Sequence, residues 1–128
     1  MLTATPLYAG LLALLYLFLS YRVIRQRVAA RVAHGDGGDA ELSLRIRVHG
    51  NFNEYVPLGL ILLAGAELQG APLGVVHGLG AMLLAGRLAH AWGMSQTPGN
   101  PAGRGGGMVL TYVMLLTAAL ANIGHALF

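Results

Sequence analysis

Arg47, Asn51 and Glu54 recur at i, i+4 and i+7, a spacing that puts a guanidinium, an amide and a carboxylate on one stripe of a helix. Arginine can fork a carboxylate, asparagine can donate and accept, and glutamate can hold an ammonium, so the stripe predicts a grip on a zwitterionic, carboxylate-bearing molecule. Arg87 and His90 form a second pair at i, i+3. Pro57, three residues after Glu54, removes the hydrogen bond to the carbonyl of Asn53 and predicts a bend beside the stripe.

These polar groups stand in a chain that is otherwise poor in charge. Of its 128 residues, 55% are hydrophobic and 10% charged, against about 25% charged in an ordinary soluble domain. Met1 to Tyr21, Leu88 to Gly103 and Gly105 to Phe128 contain no Asp, Glu, Lys or Arg. A membrane helix takes roughly 20 mostly apolar residues, so the length accommodates a single membrane domain over residues 1–128 with four transmembrane helices. A charge at the bilayer centre costs at least ~2.5–3.5 kcal/mol on insertion scales, so one that persists there points to a function or a buried partner.

Composition also excludes functions. The absence of cysteine rules out disulfides, thiolate metal sites and a protein thiol nucleophile. No HExxH or similar spacing supports a metal site, and the Gly-rich segment around Arg104 lacks the GxxxxGK[ST] phosphate cradle. The net charge of +3 does not call for nucleic acid: six of the eight basic residues fall between Arg22 and Arg47, where membrane topology places them.

Helices are predicted over about 3–33, 40–68, 73–95 and 106–127, joined by the Gly/Asp stretch after His34, by Gln69-Gly-Ala-Pro72, and by a loop over 97–107. No basic residue precedes the first apolar stretch, which predicts a retained span and not a cleaved leader. Gly78, Gly80, Ala81, Ala85 and Gly86 predict a third helix that packs closely with its neighbours. The stretch after the first span holds nearly all of the arginines and the third connection holds Arg104, while the Gln69–Pro72 turn and both termini hold none, so the two arginine-bearing connections face the cytoplasm and both termini lie outside it by the positive-inside rule. Arg47, Glu54, Arg87 and His90 then sit at similar depth, toward the cytoplasmic end.

Each residue also has a plainer role in contention. Arg45 and Arg47 can snorkel to headgroups, Glu54 can serve only as an ion-pair partner for Arg87, and His90 can be a packing residue. His77 and His125 read as helix-end or outer-face residues, Glu67 as solvated near the outer end, and Arg104 as a topogenic charge.

The blocks Arg47-Val-His-Gly-Asn-Phe-Asn-Glu-Tyr-Val-Pro57 and Leu83-Leu-Ala-Gly-Arg-Leu-Ala-His-Ala-Trp-Gly93, with Arg104 and the helix after it, make this chain resemble the MAPEG family, the membrane-associated proteins in eicosanoid and glutathione metabolism. The resemblance implies an all-α, four-helix membrane subunit that forms a homotrimer, with glutathione as co-substrate between neighbouring subunits near the cytoplasmic side. It implies that Asn51, Glu54, Arg87 and His90 line that site, with Arg47 close by and Arg104 near the thiol as the catalytic group. A guanidinium beside sulfur favours thiolate over thiol, which activates it toward a lipophilic electrophile entering from the bilayer. Several eukaryotic members carry hydrogen-bonding side chains where this chain has Gly50, Met94 and Gly105; Tyr112 or Ser95 are the candidate replacements.

Three functions follow as expectations: a glutathione-dependent transferase or peroxidase of a bacterial inner membrane, a non-catalytic lipid-binding scaffold of the same family, and a small proton-coupled multidrug exporter. The exporter reading needs an acidic residue in the first span, and that span has none. A haem held between His49 and His90 ranks below it.

Overall fold

The computed structural model describes residues 1–96 and 98–128; Thr97, which the sequence assigns to the third connection, lies outside them. Four helices follow in order: α1 (Ala4–Ala30), α2 (Ala40–Leu68), α3 (Leu73–Ser95) and α4 (Pro101–Leu127).

Each boundary has a local cause. α1 stops at Ala30, short of the expected residue 33, because Arg31 adopts the left-handed conformation with φ 55°. The Arg31 amide donates to Val28 and the Val32 amide to Arg27, which satisfies the last carbonyls in a Schellman-type ending. α2 is capped by Asp39, whose carboxylate accepts the Leu42 amide at 2.6 Å. In the connection before it, the Gly38 amide, with help from Ser43, holds the Asp36 carboxyl below its ordinary range. Gly70, at φ 88°, makes the turn into α3.

α4 begins at Pro101, five residues before the expected residue 106. Asn100 caps it by accepting the Gly103 amide at 3.1 Å, and proline at the first position suits a helix start. Glycines 103, 105, 106 and 107 read as loop on propensity alone, yet the cap and the packing against α3 hold them helical. Arg104 therefore stands on the first turn of a helix and not in a loop.

α2 contacts all three other helices, α3 packs along α4, and α1 touches α2 and α3. The core between them is apolar, with Leu12, Leu42, Leu63, Val76, Leu83 and Met114 closed off from solvent. The perimeter is equally apolar, with Leu14, Leu17, Phe18, Ile61, Leu116 and Leu120 exposed. A helix hydrophobic inside and out belongs in a membrane. α1, α3 and α4 are each long and apolar enough to cross one. α2 matches them in length, but Arg45, Arg47, Asn51 and Glu54 make its first half polar.

Polar ties hold the end of the bundle opposite the arginines. Glu67 is not simply solvated: its carboxylate accepts the backbone amides of Ala4 and Thr5, both at 2.8 Å, and caps α1 from a distant helix. Asn122 donates to the Leu62 carbonyl at 2.8 Å and pins α4 to α2. Tyr8 bridges to His77 at 3.2 Å between α1 and α3.

Candidate functional site

The predicted stripe forms. On α2, the Arg47 guanidinium donates to Glu54 Oε1 at 3.2 Å, and the Asn51 amide donates to Glu54 Oε2 at 3.4 Å. From α3, Arg87 reaches across to the same stripe, donating from Nη1 to Asn51 Oδ1 at 2.8 Å and to the Asn51 carbonyl at 3.4 Å. The four side chains thus alternate cation, amide, anion, cation. Asn51 relays between Arg87 and Glu54, which do not approach as an ion pair; among the described residues, Glu54 pairs with Arg47.

Arg87 is the unusual member. It is 1% exposed, and its Nε has no hydrogen-bond partner among the described residues. Its other contacts are weak for a cation: Nη2 donates to Met108 Sδ at 3.3 Å, and Cζ lies 5.5 Å from the Tyr55 ring centroid. A buried charge normally has an ionised or strongly dipolar partner. Here a neutral amide and a thioether serve instead, a configuration with capacity for an additional anion.

The site depends on α3 and α4 approaching closely. Gly86 and Gly107 face each other at the crossing, where a side-chain carbon on either would collide with backbone of the other helix. That approach brings Met108 to Arg87 and packs His90, 4% exposed, against α4. One turn before Met108, Arg104 borders a cleft of about 430 Å³ between the end of α3 and the start of α4. Met94 and Gly105 border the same cleft. Both positions lack the hydroxyls that the resemblance led one to look for.

Of the two candidate replacements, Ser95 is already engaged. It donates to the Ala91 carbonyl at 2.6 Å and accepts from Arg22 at 2.8 Å. Tyr112 remains, its hydroxyl 3.0 Å from that of Tyr55. Sequence reasoning passed over Tyr55 and Met108 as site residues. The signals were present: Tyr55 is four residues after Asn51, and Met108 four after Arg104, each one helical turn along a stripe already in use.

Other histidines lie elsewhere. His49 accepts or donates at 2.9 Å to Ser20 and stacks near Tyr16 of α1, whereas His90 packs on α4, so the two do not face each other across a haem. No cluster of three or more metal-ligating side chains occurs among the described residues.

The model of the MAPEG family matches residues 5–124. The inner membrane protein YecN of Escherichia coli K12 is 44% identical over 121 residues, covering 94% of this chain and 91% of YecN. YecN of the E. coli strain CFT073 matches with the same identity and coverage.

Proposed function

This chain belongs to the MAPEG family, and from that membership we propose that it is a glutathione-dependent enzyme of a bacterial inner membrane, transferring the thiol to lipophilic electrophiles or reducing peroxides with it. The observation that carries the reading is Arg87: a buried guanidinium with an unpartnered Nε and no carboxylate among its hydrogen-bond partners. Glutathione brings two carboxylates, one ammonium and a thiol. A carboxylate would supply the anion that Arg87 lacks, and the ammonium would sit at Glu54. Arg104, in the neighbouring cleft, would face the sulfur and favour its thiolate.

The reading includes α2 as a fourth span, both termini outside the cytoplasm, and a homotrimer. Its support lies in the exposure of the stripe. The Arg47 and Glu54 side chains are 64% and 47% exposed on a single subunit, and charged groups at bilayer depth do not face acyl chains without large cost. A second and third copy of the chain would cover that face and close the site. Membrane lipids surround the rest.

Isothermal titration of glutathione into the purified protein, with Glu54→Ala as control, tests the proposal. Saturable binding that Glu54→Ala abolishes supports it. No binding to the wild-type protein, together with co-purified lipid in the same site, would establish the scaffold reading instead.

A further inference from the structure

We propose that Tyr112 donates a hydrogen bond to the oxygen of the lipophilic co-substrate, and that the site therefore favours electrophiles whose reacting carbon is conjugated to a carbonyl. The inference rests on the thiol-activating reading above and assigns the chemical class of its second substrate.

The Tyr55 and Tyr112 hydroxyls are 3.0 Å apart, with ring centroids at 5.6 Å in an edge-on arrangement. Tyr55 is the anchored partner, its ring against the Arg87 guanidinium at 5.5 Å. When Tyr55 donates to the Tyr112 oxygen, the Tyr112 proton is free for another acceptor and is polarised by the bond it receives. The neighbouring hydroxyl on α4 is committed: Thr111 donates to the Gly107 carbonyl.

Tyr112 also sits where two environments meet. Toward the start of α4 come Met108 and Arg104, each one turn further back. In the other direction, Leu58 and Leu116 follow within a turn of Tyr55 and Tyr112, exposed by 52% and 62%. Tyr112 is itself 50% exposed. A molecule dissolved in acyl chains and approaching along the leucines meets this phenol as it reaches the charged stripe. Arg104 and Tyr112 are separated by two turns, about 12 Å of helix axis, with Met108, which borders the Arg104 cleft, midway between them.

The step balances as a conjugate addition. The thiolate electron pair forms the C–S bond at the β-carbon, the C=C pair shifts toward the carbonyl carbon, and the carbonyl π pair moves onto oxygen. Tyr112 stabilises that enolate oxygen. A proton from solvent then adds to the α-carbon, replacing the one lost when the thiol ionised.

The test compares two electrophiles with glutathione on the trimer or whatever assembly purifies: a long-chain enone, and benzyl chloride, whose displacement leaves charge on chloride and not on oxygen. Tyr112→Phe is expected to lower the kcat/KM ratio of enone to benzyl chloride by about 10²–10³-fold, the effect of removing one oxyanion donor. Tyr112→Gln, which keeps a donor, is expected to hold the ratio within about tenfold. Equal losses on both electrophiles, or equal ratios in the Phe and Gln variants, overturn the assignment of Tyr112 alone. A wild-type protein that ionises no glutathione and conjugates neither compound overturns both this inference and the function on which it rests.

Discussion

Arg87 Nη1 lies 2.8 Å from Asn51 Oδ1, so the most buried cation of the protein is held by a neutral amide from another helix. Removing that oxygen leaves a guanidinium in the interior with a thioether and a carbonyl for company. Asn51→Leu is therefore expected to destabilise the subunit by about 2–3 kcal/mol, the cost of stranding a buried donor, and to abolish glutathione binding. Thermal unfolding in detergent and a binding titration measure the two effects.

Arg104 is exposed at the mouth of the cleft, so under the proposed function it acts through charge and not through packing. With glutathione added, the wild-type protein should show the ultraviolet absorbance of an ionised thiol at neutral pH. Arg104→Ala should lose most of that absorbance while its melting temperature stays close to wild type. Retention of the full signal would remove Arg104 from the chemistry.

The α3/α4 crossing tolerates no side chain. Gly107→Leu forces His90 and the α3 backbone away, and overpacking of this kind costs about 1–3 kcal/mol. It should also separate Met108 from Arg87, so binding falls with stability. Gly106→Ala one residue earlier, where a side-chain carbon meets nothing, serves as the control in the same melting series.

Glu67 caps α1 through the Ala4 and Thr5 amides. Glu67→Leu should leave the site intact and speed amide hydrogen exchange selectively at residues 4 and 5. Exchange that stays slow there would show that the cap is dispensable.

Asp36 offers a pH dependence outside the membrane. Its carboxyl is held below the ordinary value of 3.8, chiefly by the Gly38 amide. A lowered folded-state pKa means that the stabilisation is complete above the ordinary value and is lost as pH falls through the lowered one. The connection between α1 and α2 should loosen only below about pH 4, seen as faster exchange of the Gly38 amide, and Asp36→Asn should show that looseness at neutral pH.

The sequence by itself determined that the protein is a small all-helical bundle of low charge, that its helices come in this order, and that Arg47, Asn51 and Glu54 share a stripe. Periodicity and hydropathy are local properties, and a spacing of four and seven residues places side chains on a helix without reference to anything else. It did not determine where α4 begins, because four glycines near Arg104 read as loop until the Asn100 cap and the α3 surface hold them helical. Nor could it tell that Glu54 answers to Arg47 while Arg87 takes Asn51, or that Ser95 is tied to Ala91 and Arg22 while Tyr112 meets Tyr55. Arg47 and Glu54 are seven residues apart on one helix, but the Arg87–Asn51 and Arg22–Ser95 pairings join residues 36 and 73 positions apart in the chain. The last two depend on how α3 packs against α2 and α1 in the folded bundle, just as the contact of Met108 with Arg87 depends on Gly86 meeting Gly107 between α3 and α4.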